Sequence, residues 1–151
     1  MYRQLKTDYE NETKSPFTDN LTGIFNHGFF QIALELEVKR SKRHGTPFTL
    51  ALIDIDSFDS YNRMHGHVEG DSMLKEIARL IKENIRETDV PARYSGDVYA
   101  LFLTKSETGR AIETLERIRE AVAMQRGGEI TVSIGLGLLP RRCRKQGRPY
   151  Q

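Results

Sequence analysis

The stretch Phe48–Ile55, FTLALIDI, is an apolar run of strand length that only Thr49 and Asp54 interrupt. Such a run is typical of a strand that is buried on both faces of a sheet. Because side chains alternate along a strand, Asp54 and Asp56 are expected to point to the same side. The sequence therefore predicts a strand, buried on both faces, that ends in a pair of acids.

Helical patterns lie on both sides of this strand. Before it, apolar residues recur at helical spacing over Phe29–His44, and Gly45 follows as a stop signal. After it, we expect a short helix over Ser57–Met64 and an amphipathic helix over Val68–Ile85.

The second half of the chain predicts a hairpin, a helix and a strand. Strands at Ala92–Tyr94 and Val98–Thr104 flank a turn in which Gly96 is expected to supply unusual backbone angles. Glu129–Leu139 is the last predicted strand. The order of elements favours an α/β (α+β) sandwich with a mixed or mainly antiparallel sheet over one with a purely parallel sheet. The helix between hairpin and last strand is predicted to be capped by Ser106, to bury Ala111, Ile112, Leu115, Ile118 and Val122, and to end at Gly127-Gly128.

Length and composition set the class of protein. A chain of 151 residues, 38% hydrophobic and 29% charged, is typical of one soluble globular domain. Cys143 is the only cysteine, which excludes an internal disulfide. No apolar run approaches the roughly 20 residues of a membrane span, and no signal peptide opens the chain. We therefore expect a cytoplasmic protein.

The net charge of +2 hides an asymmetry between the body and the end of the chain. Residues 141–151 hold five Arg or Lys and no acid, and the remainder has 18 basic against 21 acidic residues. We expect this basic tail to be disordered and solvated rather than to bind nucleic acid or an acidic membrane.

The acids near the strand ends are candidates for cation binding. If the strands pair, Asp97 in the hairpin turn comes close to the end of the strand that carries Asp54, and such carboxylates suit Mg²⁺ shared with phosphates. The competing interpretation is that these acids are merely solvated. No P-loop or Rossmann glycine pattern is present, and His65 and His67 are interpreted as turn residues.

Five ordered motifs resemble the GGDEF domain of diguanylate cyclases over about residues 19–139. They are Leu21-Thr22-Gly23-Ile24-Phe25-Asn26, Asp54-Ile55-Asp56-Ser57-Phe58, Asn62 with Gly66-His67-x-x-Gly70-Asp71, Arg93-Tyr94-Ser95-Gly96-Asp97-Val98-Tyr99, and Thr131-Val132-Ser133-Ile134-Gly135.

The resemblance implies a ferredoxin-like palm, shared with nucleotidyl cyclases, and the condensation of two GTP into cyclic di-GMP with Mg²⁺ or Mn²⁺. It also implies a homodimer, since the two nucleotides lie on facing domains. By resemblance, Asp54, the Ile55 carbonyl and Asp97 hold the metal, and Asp54 and Asp97 are the catalytic acids. Asn62 and Asp71 correspond to the pair that binds guanine.

The signature loop departs from the family pattern. Here it is Ser-Gly-Asp-Val-Tyr: Ser95 replaces a glycine beside the retained Gly96, and Val98 removes the second acid. Asp59 stands where the family carries a lysine that meets phosphate. The usual closing helix and strand are expected to be missing after residue 140.

A second family site is also suggested. Arg86 and Asp89 form an R-x-x-D just before the signature, at the position of the family's inhibitory site for cyclic di-GMP. An arginine can pair with guanine or phosphate, and an aspartate can accept from the guanine edge. The alternative is an ordinary surface ion pair.

The sequence thus predicts three segments: a linker or helical stub (1–18), a GGDEF-like domain (19–140) and the basic tail (141–151). Three functional hypotheses stay open. We favour a degenerate module that binds cyclic di-GMP or GTP with weak or no catalysis. The others are an active diguanylate cyclase and a dimerisation module without a ligand. An upstream sensor domain or partner protein would supply the input.

Overall fold

The structure, a computed structural model, describes residues 16–105 and 108–139. The predictions for residues 1–15, for the cap at Ser106 and for the basic tail lie outside these ranges. The described elements are α1 (His27–His44), β1 (Phe48–Ile55), α2 (Phe58–His65), α3 (His67–Glu83), β2 (Val90–Ser95), β3 (Val98–Leu103), α4 (Thr108–Ala123), a 3-10 turn (Gln125–Gly128) and β4 (Val132–Leu139). The predicted order of helices and strands is confirmed.

The four strands form one antiparallel sheet in the order β2-β3-β1-β4. Strand β1 is an inner strand of this sheet, since it pairs with β3 on one side and β4 on the other. Its register sets Asp54 opposite Val98 of β3 and opposite Ser133 of β4. The molecule is an α+β sandwich of the ferredoxin-like type, as the family resemblance implies.

Each face of the sheet has its own hydrophobic cluster. On one face, β1, β3 and β4 pack against α3 and α4; on the other, α1 packs over β2, β3 and the start of β1. The prediction that β1 is buried on both faces is wrong for its second half, where Leu52 is 43% exposed and Asp54 is exposed. The reason is that α1, on this face, covers only the start of β1.

Some helix boundaries, and the exposure of one helix residue, differ from the predictions for local reasons. Helix α1 begins at His27 because the Asn26 side chain caps it, accepting from the Phe29 backbone N–H at 2.9 Å. Gly66, with φ of +84°, ends α2 and starts α3, a conformation that suits glycine. Ile112 is 45% exposed and does not belong to the buried stripe of α4.

No helix among residues 16–105 and 108–139 is both long and apolar enough to cross a membrane.

Candidate functional site

The end of β1 lies next to the signature turn, Ser95–Asp97, as the sequence predicts. We call this part of the molecule the signature end. The backbone N–H of Ile55 donates to the Asp97 carbonyl oxygen at 3.1 Å. Asp54 is exposed, and Asp97 is partly exposed. The hydrogen-bonded register therefore places the two acids at the same end of the sheet.

Val98 occupies the position opposite Asp54. Side chains directly opposite each other in an antiparallel pair lie about 4.5–5.5 Å apart at Cβ, so a carboxylate at residue 98 would stand beside that of Asp54. In this chain an apolar side chain stands there instead. The second strand-borne acid of the site is absent.

Asp56 turns toward β4 and is occupied by hydrogen bonds. Its Oδ2 accepts from Thr131 Oγ1 at 2.7 Å, and its Oδ1 accepts from Ser133 Oγ at 2.6 Å. The backbone N–H of Asp56 donates to the Thr131 carbonyl at 2.9 Å. Asp56 therefore fastens the end of β1 to β4.

The carboxylates near the end of β1 do not form a complete metal site by themselves. In the described part of the chain, no three His, Cys, Asp or Glu side chains are grouped so that they could hold a metal. With Asp56 occupied and Val98 apolar, Asp54 and Asp97 are the remaining carboxylates. Mg²⁺ commonly binds through one or two carboxylates plus substrate phosphates, so these two fit the ion only together with a nucleotide.

Arg93, which sequence analysis did not assign, fixes the signature turn. Its Nε and Nη2 donate to the Gly96 carbonyl at 3.2 and 2.8 Å, and its Nη1 pairs with Asp19 at 3.3 Å. Partial burial acts to raise the pKa of Asp19, but hydrogen bonds from Thr22 and the charge of Arg93 outweigh it and lower that pKa. The turn is thereby tied to the segment before α1.

The signature turn does not use the glycine conformation that the sequence suggested. Among the described residues, positive φ angles occur at five other glycines but not at Gly96, so that prediction is wrong. A Cβ atom added at Gly96 would meet nothing within 4 Å. Ser95 is exposed at the end of β2, where the register with β3 shifts between Arg93 and Ser95. A β-bulge rather than a left-handed glycine shapes this corner.

The two predicted guanine-binding residues lie on adjacent helices, Asn62 on α2 and the exposed Asp71 on α3. Their helices touch where Asn62 packs against Gly70: a Cβ atom added there would collide with Asn62 Oδ1 and lie 2.9 Å from its Cγ. Asn62 Oδ1 is buried and has no hydrogen-bond partner in the described structure. Gly70 thus makes room for the Asn62 amide, a role that the spacing of the motif did not reveal.

Arg86 and Asp89 form a compact turn between α3 and β2. Asp89 is 2% exposed, and its two oxygens accept from the backbone N–H groups of Arg86 at 2.9 Å and Thr104 at 3.1 Å. Arg86 Nη2 donates to the Thr104 carbonyl at 2.6 Å, and the Arg86 side chain is 52% exposed. The buried carboxylate therefore orders the turn, and the arginine reaches the surface.

A cavity of about 220 Å³ opens beside this turn. Two further arginines line it, Arg110 and Arg117 of α4, which the sequence analysis missed because α4 carries charges along its whole exposed side. We call this site the arginine cavity. Its lining consists of Asn84, Arg86, Asp89, Arg110, Glu113, Thr114 and Arg117.

Comparisons with known proteins agree with this geometry. The family model described as "Diguanylate cyclase, GGDEF domain" matches residues 16–147. Diguanylate cyclase DosC of Escherichia coli (strain K12) is 32% identical over 124 residues, which cover 79% of this chain and 27% of that protein. Diguanylate cyclase DgcP of Pseudomonas aeruginosa is 39% identical over 116 residues, covering 76% of this chain and 17% of that protein. The chain spans only these fractions of its curated relatives.

Solved structures show the same fold. The GGDEF domain of DgcB from Caulobacter crescentus, solved in complex with c-di-GMP, has a TM-score of 0.77 and 28% identity, covering 85% of this chain and 80% of that one. The match of the family model over most of the chain, with the strand-end acids and the signature turn brought together, shows that the chain belongs to the GGDEF family.

Proposed function

We propose that this GGDEF domain is a cyclic di-GMP signalling module that binds cyclic di-GMP in the arginine cavity, or GTP at the signature end, with weak or no catalysis. A contrast between two observations carries the proposal. Three arginines line a preformed cavity, whereas the partner position of Asp54 holds Val98.

The chemistry of the arginine cavity suits a cyclic dinucleotide. A guanidinium is planar and pairs in bidentate fashion with guanine O6 and N7 or with a phosphate. Cyclic di-GMP offers two guanines and two phosphates. Arg86 is half exposed and held by its bond to Thr104, so its position is set before any ligand arrives. Such preorganisation reduces the entropy lost on binding.

The signature end supports nucleotide binding more than turnover. Asp54 and Asp97 are retained there with Asn62 and Asp71, but Val98 leaves the metal one carboxylate short. Asp59, in the first turn of α2, adds a negative charge where the family carries a lysine for phosphate. Opposite unit charges 4 Å apart attract by about 4 kcal/mol at an effective dielectric of 20, so a reversed sign at that distance repels by a similar amount.

The second candidate function is that of an active diguanylate cyclase. It is favoured by the retained Asp54, Asn62, Asp71 and Asp97 and by relatives that are themselves named diguanylate cyclases. In that case, two copies facing each other would each present one GTP, with Mg²⁺ or Mn²⁺ as cofactor. The homodimer, the cytoplasmic location and an upstream sensor or partner belong to this proposal for either function.

Calorimetry with cyclic di-GMP tests the arginine cavity. We expect saturable binding by the wild type and its loss in Arg86→Ala. Arg119→Ala is the matched control, because Arg119 lies on the exposed side of α4, paired with Glu116 and outside the cavity lining. Equal affinity in Arg86→Ala and the wild type would refute the site.

Incubation with GTP and Mg²⁺, followed by mass spectrometry, tests catalysis. We expect little or no cyclic di-GMP. Sustained product that disappears in Asp97→Ala would establish the active cyclase instead. If neither GTP nor cyclic di-GMP binds at millimolar concentration, the domain acts as a dimerisation module without a ligand.

A further inference from the structure

Arg126 lies in the turn between α4 and β4, yet its side chain contacts both α2 and α3. These helices carry Asn62 and Asp71, which we call the guanine pair. We propose that Arg126 is a positioning residue that fixes α2 against α3 so that Asn62 and Asp71 can bind guanine. This inference rests on the proposed GTP site.

The contacts of Arg126 flank the guanine pair directly. Its Nη1 donates to Tyr61 Oη at 3.0 Å and to Glu69 Oε2 at 2.6 Å, and its Nη2 donates to Ser72 Oγ at 2.9 Å. Tyr61 precedes Asn62 on α2, and Ser72 follows Asp71 on α3. One guanidinium thus joins the two helices next to both guanine-binding positions.

The backbone of Arg126 is held in an unusual conformation. Its φ of 45° and ψ of 43° lie in the left-handed region, which a residue with a Cβ rarely adopts. Such a conformation persists where surrounding contacts fix it. The forked guanidinium, with several N–H donors in one plane, can satisfy three acceptors on two helices at once, whereas a lysine ammonium is a point charge.

The helix interface on which Arg126 acts is tight. Tyr61 is 7% exposed, and the Asn62 amide fills the space that Gly70 leaves. Because Asn62 Oδ1 is buried without a hydrogen-bond partner among the described residues, small changes in the separation of α2 and α3 alter what the amide can reach. An exposed ion pair such as Arg126 with Glu69 contributes little to stability by itself. The effect of Arg126 is therefore expected on binding more than on folding.

The test compares two substitutions of Arg126 with a control on the same surface. Arg126→Gly tolerates the left-handed backbone and removes every contact, and Arg126→Lys keeps the charge without the fork. Arg79→Ala is the matched control, since Arg79 lies on α3 and pairs with Glu76 and Glu83 of the same helix. Affinities for GTP and ATP are measured by calorimetry with Mg²⁺, and amide hydrogen exchange is followed over residues 58–72.

We expect Arg126→Gly to bind GTP about tenfold more weakly and Arg126→Lys to bind it more weakly to a smaller extent, with ATP affinity and the Arg79→Ala control unchanged. Exchange should rise over residues 58–72 and stay low in β1 and β3. Unchanged GTP affinity, or an equal loss for GTP and ATP, would overturn the proposal. Unchanged exchange would overturn the joining of α2 and α3. If the wild type binds no guanine nucleotide, the proposed GTP site fails with the guanine role, while the exchange result still decides whether Arg126 fixes the helices.

Discussion

The signature end and the arginine cavity are built in opposite ways. At the signature end, side chains from separate strands must converge, and Val98 alone removes one of them. At the arginine cavity, the buried Asp89 orders a local turn through two backbone N–H groups, and α4 supplies the remaining arginines. One residue type at position 98 thus decides whether a second carboxylate faces Asp54, whereas the arrangement around Asp89 depends on hydrogen bonds within one turn and its neighbour Thr104.

The largest expected effect is a gain at the signature end. Val98→Glu places a carboxylate opposite Asp54 and should raise the rate of cyclic di-GMP formation from GTP and Mg²⁺ about a hundredfold, because the carboxylate would supply a further ligand for the metal, whose charge stabilises the transition state by several kcal/mol. Product is quantified by mass spectrometry. Val98→Gln, with the same shape and no charge, is the control. Equal rates in the two variants would show that the missing acid does not limit this site.

The second effect tests whether Asp89 stabilises the turn beside the arginine cavity. Asp89→Asn leaves one of two buried backbone N–H groups without its acceptor and should cost about 1–3 kcal/mol of the free energy of unfolding. Urea denaturation measures this change. Asp71→Asn, at an exposed position, should change stability by less than about 0.5 kcal/mol. A similar midpoint for both variants would contradict the structural role of Asp89.

A third substitution affects the guanine pair and leaves the arginine cavity alone. Gly70→Ala drives a methyl group into Asn62 and should weaken GTP binding about tenfold, equivalent to about 1.4 kcal/mol, without changing affinity for cyclic di-GMP. In the background of Asn62→Ala, the same change should stabilise α3, because alanine is favoured over glycine within a helix by up to about 1 kcal/mol. Destabilisation in both backgrounds would locate the collision elsewhere.

The smallest effect concerns acid sensitivity at the signature turn. The pKa of Asp19 is lowered from its usual 3.8, so its contribution to stability is present above about pH 4 and is lost as the pH falls through the lowered pKa. Asp19→Asn should remove at most about 1 kcal/mol at neutral pH and should flatten the loss of stability below pH 4. Thermal unfolding between pH 5 and 2 measures this slope. Identical slopes in the wild type and in Asp19→Asn would rule out the Asp19–Arg93 pair as a source of the loss of stability in acid.

Much of the fold follows from the sequence because its signals are local. The apolar run Phe48–Ile55, the helical stripes and the turn at Ser95–Asp97 are each determined by neighbouring residues, and their order limits the topology to few choices. Pairing of the strands then brings Asp54 and the signature turn together, as predicted.

The parts that were not predicted depend on distant contacts. Arg117 and Arg126 look like ordinary surface charges in the sequence, and only packing reveals that one lines a cavity and the other joins two helices. Leu52 is exposed because α1 packs only on the start of β1. The sequence of β1 alone does not show how far α1 extends over the sheet. The prediction for Gly96 failed because Gly96 has no positive φ, and the register of β2 with β3 shifts beside the turn instead.

Helix α4 is a continuous rod of 16 residues, about 24 Å long at 1.5 Å per residue. Arg110 and Arg117 of this helix line the arginine cavity, and its C-terminal end leads into the turn that holds Arg126. In mechanical terms, a tilt of this rod at one end displaces the other. One helix therefore connects the arginine cavity with the turn whose arginine contacts α2 and α3.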